Sequence, residues 1–393
     1  MKQSMIFSKS LKTMIETSCG VPCRLIERMN RMKDFSRIIM LLFCLAVGSV
    51  LHPAFAGEEH DKHQAAEFSA KDVIMEHVAD AYEWHVTTIN GKHISIPLPV
   101  IVVGQNGLSV FCSSKLDHGH SSYNGFYLSE SEKYKGKLVE KNASGEEIRP
   151  WDFSITKNVF SLLINSCILL AIILGVASFY RKQRKTGEFK APRGFIGFME
   201  MIVMNIENEV IKPCIGKNYA KFSPYLLTAF FFILINNLMG LVPIFPGGAN
   251  VTGNIAITLV LSLFTFFYVN IFGTKEYWRE IFWPDVPIWL KIPPFMPIIE
   301  FVGVFTKPFA LMIRLFANIL AGHSIAISIV CLVFITASQG PALNSSMTVV
   351  SVLLSVFMGL VEVLVSCIQA YVFTLLSAVF IGLAQVEPHK VKH

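Results

Sequence analysis

Five stretches of this chain are too apolar, over too great a length, to rest in water. Val159 to Tyr180 is about 22 residues without a charge, and Pro224 to Pro243 and Ile255 to Phe272 are uncharged runs of about 20. Phe309 to Ala337 and Thr348 to Ala384 are longer still. A hydrocarbon core of about 30 Å is crossed by about 20 apolar residues in a helix. Inside it only helices and closed barrels satisfy every backbone polar group. The expected fold class is therefore an all-α polytopic membrane protein with about five hydrophobic helices. Of the 393 residues, 53% are hydrophobic and 16% charged. That balance excludes disorder as the dominant state and argues against an ordinary soluble enzyme. The net charge of +6 is small and its positives fall in a few loops, so nucleic acid is not an expected partner. The eight cysteines show no paired zinc spacing and make no disulfide scaffold.

The N-terminus has the three parts of a secretory signal. Arg31, Lys33 and Arg37 precede an apolar run from Ile38 to Leu51, and Ala54-Phe55-Ala56 follows. Cleavage after Ala56 is expected, giving residues 1–56 as signal; an uncleaved anchor is the alternative. Translation from Met29 or Met32 would account for the residues ahead of the basic patch. Residues 57–150 are polar and read as a small exported unit. A helical pattern over Val73–His85 is followed by strand-like runs Ile94–Val103, Leu108–Phe111, Phe126–Leu128 and Leu138–Val139. Asn106-Gly107, Asn124-Gly125 and Ser144-Gly145 supply the turns. His60 with His63, and His118 with His120, could meet a metal, but lack further ligands at regular spacing. The plainer reading is solvated loop histidines, and no cofactor is expected.

Residues 151–386 form the expected membrane domain and 387–393 a cytoplasmic tail. Arg181, Lys182, Arg184, Lys185, Lys190 and Arg193 crowd the loop after the first span, whereas Ile244–Asn254 and Ser338–Met347 hold no Lys or Arg. Lysine and arginine excess marks cytoplasmic loops, so the exported unit lies outside and the C-terminus inside. Phe195–Ile215 mixes apolar residues with Glu200, Glu207 and Glu209 and reads as an amphipathic helix on the inner surface.

The last two elements are overlong. As continuous helices they would measure roughly 43 and 55 Å. Breaks near Gly322 and Gly359 are the alternative; the favoured reading is a pair of long, strongly tilted helices joined by the turn Gly340–Asn344 and held by a protein partner. They also hold the ionisable residues set deepest in apolar sequence. Arg314, Asn318 and His323 lie in the first, Glu362 and Gln369 in the second. Arginine keeps its charge essentially always, whereas His323 and Glu362 can take up and release protons. Arg314 and Asn318 are i and i+4 on one face; His323 lies two and a half turns on, on the opposite side. Taken singly, each residue has a bland reading: an Arg314–Glu362 salt bridge, a packing histidine, or amides that join helices. Together they favour an ion pathway.

Lys307-Pro308-Phe309-Ala310-Leu311-Met312-Ile313-Arg314-Leu315-Phe316-Ala317-Asn318-Ile319-Leu320-Ala321-Gly322-His323 resembles the signature of subunit a of F-type ATP synthases. Glu362 followed seven residues later by Gln369-Ala370 resembles that family's final-helix motif, and Asn236 to Pro243 its second membrane helix. In many bacterial members Glu occupies the His323 position and His the Glu362 position, so the pair is exchanged here. The resemblance implies a non-catalytic proton-channel subunit in a bacterial inner membrane. It would work beside a ring of c subunits and a peripheral stalk of subunit b. Asn318, His323, Glu362 and Gln369 would line a half-channel, and Arg314 would face the ring. ATP chemistry would belong to other subunits, since no Gly-x4-Gly-Lys-Ser/Thr phosphate loop is present. An ion-coupled secondary transporter is the competing reading; the absence of an inverted repeat weighs against it.

Overall fold

In a computed structural model of the chain, residues 80–385 are described apart from short breaks, the longest at 283–294. The signal segment, His60, His63 and His120 lie outside the described residues, as does the His118 side chain.

The N-terminal unit is built from eight short strands: β1 (Glu83–Ile89), β2 (Lys92–Pro97), β3 (Pro99–Gly104), β4 (Gly107–Cys112), β5 (Phe126–Leu128), β6 (Leu138–Lys141), β7 (Glu147–Ile148) and β8 (Trp151–Asp152). They form a β1–β2 hairpin and two three-stranded antiparallel sheets, β4-β3-β8 and β5-β6-β7. Val100, Val102 and Phe111 face Phe126 and Leu138 in a common core. The strands expected over 108–111, 126–128 and 138–139 are present.

Of the helix expected over Val73–His85, residues 73–79 lie outside the described residues, and the C-terminal end is not helical, because Glu83–Ile89 is strand; its β-branched run pairs with Lys92–Pro97, and this pairing overrides the helical spacing. The strand over Ile94–Val103 is two strands. Pro97 and Pro99 cannot donate to a ladder, and between them Leu98 bonds to Ser113 through both backbone groups.

The rest of the described chain is mainly helical: α1 (Lys157–Thr186), α2 (Phe195–Asn205), a π-helical turn Ile206–Ile211, α3 (Lys212–Ile215), α4 (Tyr219–Leu241), α5 (Ile255–Ile271), α6 (Lys275–Phe282), α7 (Phe295–Ala337) and α8 (Pro341–Ala384). Four of these helical segments are long and apolar enough to cross a membrane, or five if the α5–α6 pair, bent by 99°, is one span.

Asp80 seats the start of α1. Its carboxylate accepts from Asn158 N at 3.1 Å and Thr156 Oγ1 at 2.7 Å, placing negative charge where the helix dipole favours it. At the other end Gly187 closes α1 with a left-handed φ of 69°.

The segment Phe195–Ile215, expected as an amphipathic helix on the inner surface and not as part of a span, continues through the Gly216 joint into α4 as one helical run of 47 residues. Its Ile206, Val210, Ile211 and Ile215 are buried in the main core with Phe222, Leu226 and Ile233 of α4. The glutamates leave one apolar face free to pack, and that face meets protein. Gly382 of α8 makes this possible, since its Cα lies against the Cys214 carbonyl where a side chain would collide.

Lipid tails are as apolar as leucine, so helices in a membrane gain cohesion from packing and buried polar pairs. Asn165 Nδ2 donates to Asn236 Oδ1 at 3.0 Å, joining α1 to α4, and the Tyr225 and Thr265 hydroxyls lie 2.8 Å apart between α4 and α5.

Helices α7 and α8 form an antiparallel hairpin through Gly340. Neither breaks at Gly322 or Gly359; they run 43 and 44 residues without interruption. Helix α7 also begins well before Phe309, because Pro308 is accommodated inside it.

Candidate functional site

The register of the α7–α8 hairpin decides which polar groups share a height. Near the turn, Thr336 Oγ1 donates to Asn344 Oδ1 at 3.3 Å and Ser351 Oγ to the Ile329 carbonyl at 2.6 Å. Further along, His323 Nδ1 lies 3.9 Å from Glu362 Oε1. At the far end the Lys307 ammonium sits 5.9 Å from the centre of the Phe380 ring. Arg314 and Gln369 fall at one level between those last two pairs.

His323 and Glu362 meet in an open cleft of about 400 Å³ that Asn318 and Gly322 also line. Their side chains are only 19% and 13% exposed. Glu362 Oε1 is buried and has no hydrogen-bond partner among the described residues. Gly322 allows the approach, since a β-carbon there would stand 3.2 Å from that oxygen. The imidazole reaches α4 as well: its Nε2 lies 3.8 Å from where a Gly240 β-carbon would be.

The structure therefore brings Asn318, His323 and Glu362 together. Gln369 does not join them. It is buried on the same face of α8, two turns on, in the part of the helix that packs against the main core. Arg314 is exposed on α7, and among the described residues no carboxylate pairs with it. The Arg314–Glu362 salt bridge is thus not formed; His323 lies beside Glu362 instead. Around Arg314 the outward surface of the hairpin is apolar, with Phe309, Ile313, Leu364 and Ile368 exposed.

Asn237 and Ser366 also line the cleft and were not among the expected site residues. Asn237 Oδ1 accepts from Thr252 Oγ1 at 2.7 Å, and its Nδ2 donates to the Ser366 carbonyl at 3.4 Å. Two adjacent asparagines inside an apolar run were the available signal.

A second, smaller pocket of about 240 Å³ lies at the level of Lys307 and Phe380, lined also by Thr265, Asn270 and Tyr277. Asn270 Oδ1 is buried there without a partner among the described residues.

A family model described as ATP synthase A chain matches residues 162–382, and one for a domain of unknown function matches residues 73–153. An ATP synthase subunit a of Chlorobium phaeobacteroides is 34% identical over 397 residues, covering 93% of this chain and 97% of its own length. One of Chloroherpeton thalassium is 41% identical over 244 residues, covering 61% of this chain and 68% of its own. One of an Anaeromyxobacter species is 35% identical over 324 residues, covering 79% and 69%. The span of these matches, together with the apolar helices and the polar hairpin they enclose, establishes that the chain belongs to the ATP synthase subunit a family and is a multi-pass membrane protein.

Proposed function

We propose that this chain is the membrane stator subunit of an F-type ATP synthase, non-catalytic by itself. In this reading it carries protons to and from carboxylates on a ring of c subunits through two half-channels. The observation that supports this most is the order of groups along the α7–α8 hairpin. His323 and Glu362 meet in one cleft with Asn318. About 13.5 Å along α7 comes Arg314, and about 10.5 Å beyond it Lys307 borders the second pocket.

Each group suits its place. His323 and Glu362 can exchange protons with each other and with water, and Asn318 and Gln369 can hold hydrogen-bonded partners along the way. Arg314 cannot relay a proton by releasing one. Standing between the two pockets, it opposes a continuous path and favours the ionised form of a passing ring carboxylate, which drives that carboxylate to release its proton. The exposed apolar surface around it fits a ring wall, and two tilted helices of this length would follow that curvature.

The proposal includes an orientation. The α1 end with Arg181, Lys182, Arg184 and Lys185 faces the cytoplasm, and the β-rich unit lies outside a bacterial inner membrane after removal of the signal. Subunit b of the peripheral stalk is the expected partner on the stator side.

Arg314→Ala tests the reading. The complex should assemble, retain its ring, and lose proton-driven ATP synthesis in membrane vesicles. Normal synthesis in assembled complexes carrying this variant would refute it.

A further inference from the structure

The β-rich unit does not hang free of the helices. Trp84 of β1 is 4% exposed and packs in one cluster with Ala249 and Val251, from the loop between α4 and α5, and with Phe160 of α1. The Trp84 and Phe160 rings meet edge to face with centroids 6.0 Å apart. Loops ordinarily run over the surface, yet Ala249, Val251 and Thr252 are each 1% exposed. The β1–β2 hairpin supplies part of that cover.

This buried loop has two connections to the cleft. Thr252 donates to Asn237, which lines the cleft. The Ala249 carbonyl stands 3.4 Å from the β-carbon position of Gly240, the residue against which His323 Nε2 rests. The path from Trp84 to His323 thus runs through two packed residues, and the path from the loop to Asn237 through a single hydrogen bond.

We propose that the β-rich unit is a clamp on the 247–254 loop that sets the shape of the His323–Glu362 cleft, with Trp84 and Thr252 as positioning residues. This inference rests on the proton role assigned to the cleft. Among the described residues the titratable groups that line the cleft are His323 and Glu362; α4 faces them with Asn237, Leu241 and Gly240, and the loop with the Ala249 backbone and Thr252 behind Asn237. Displacing the loop therefore changes the packing and polarity around this pair without removing a charge. The signature is a moved pH profile of proton uptake in a complex that is otherwise intact.

The experiment compares Trp84→Ala, Trp84→Phe, Thr252→Val and Glu362→Gln in membrane vesicles of the whole complex, with assembly measured alongside. Trp84→Ala and Thr252→Val should each lower proton-driven ATP synthesis roughly threefold and shift its pH profile, and Trp84→Phe should restore most of the loss. If Trp84→Ala prevents assembly, Thr252→Val, which leaves the β unit intact, decides the matter. Unaltered pH profiles for the assembled clamp variants, beside a changed one for Glu362→Gln, would overturn the clamp and leave the proton reading standing. An unaltered profile for Glu362→Gln itself would overturn both.

Discussion

Gly322 is the point at which α7 admits the Glu362 side chain, and its replacement gives a calculable perturbation. An alanine β-carbon would lie 3.2 Å from Glu362 Oε1, 3.5 Å from Cγ and 3.8 Å from Cδ. Only the first contact is tight, by a few tenths of an ångström. Oε1 has no hydrogen-bond partner to lose among the described residues, and Glu362 lines the cleft, so the carboxylate can shift toward the cleft without breaking a hydrogen bond at this oxygen. Alanine also gains about 1 kcal/mol over glycine in a helix interior. Gly322→Ala should therefore leave stability within about 1 kcal/mol of the parent, while moving the carboxylate from its 3.9 Å approach to His323. Gly322→Val adds two methyl groups beyond that β-carbon where α8 already packs, and overpacking of this kind costs about 1–3 kcal/mol. Borne by the proton-transfer step, that is roughly a 5- to 150-fold loss of rate. The assay is proton-driven ATP synthesis in vesicles normalised to assembled complex, with a modest loss expected for alanine and the larger one for valine. Full activity of assembled Gly322→Val would refute the reasoning, since the cleft would then tolerate being filled.

Three further outcomes follow from other contacts. Gly382→Ala would put a carbon 2.0 Å from the Cys214 carbonyl oxygen, a backbone atom that cannot rotate aside; a loss of about 1–3 kcal/mol is expected, and an unchanged melting temperature in detergent would count against this packing. Asp80→Ala removes the carboxylate that receives Asn158 N; about 0.5–2 kcal/mol should be lost, read as faster amide exchange in the first turn of α1, and equal protection would deny the cap. Tyr82 is held protonated far above the ordinary tyrosine range, first by burial and then by its hydrogen bond to Asp152. The unfolded chain ionises near pH 10, so this contribution is complete below about pH 10 and falls as pH rises further. Tyr82→Phe should flatten that alkaline slope in amide exchange of the β strands, and an identical slope would assign it to other groups.

The helices were readable because length and absence of charge are local properties. Arg314, His323 and Glu362 stood out for the same reason: an ionisable residue inside an apolar run has few structural excuses. What the sequence hid was set between distant elements. The partnership of His323 with Glu362 depends on the hairpin register, which nothing local specifies. Asn237 enters the site through Thr252, across a turn whose packing is visible only once β1 is in place. Gly322 offered a break only as the alternative to long continuous helices, and its use as a contact surface was hidden because a missing side chain reads alike in both roles. The Val73–His85 periodicity misled at its C-terminal end because pairing with β2 supplied a better use for the same residues. The apolar run was counted from Phe309, but the helix starts earlier and takes in Pro308, because long apolar helices accommodate an internal proline more readily than a water-exposed helix does.

The bend after α5 is closed by residues made much later. Thr274 N donates to the Ala384 carbonyl at 2.9 Å, and the Gln385 amide donates to the Phe272 carbonyl across 113 positions of sequence. At about 5–20 residues per second of synthesis, this elbow waits on the order of ten seconds for its partners. Groups left waiting inside hydrocarbon would each cost several kcal/mol, so the elbow belongs at the watery edge of the bilayer until the last helix arrives. A ribosome that stalled before Ala384 would leave a nascent chain with every apolar helix made and its hinge still unlatched.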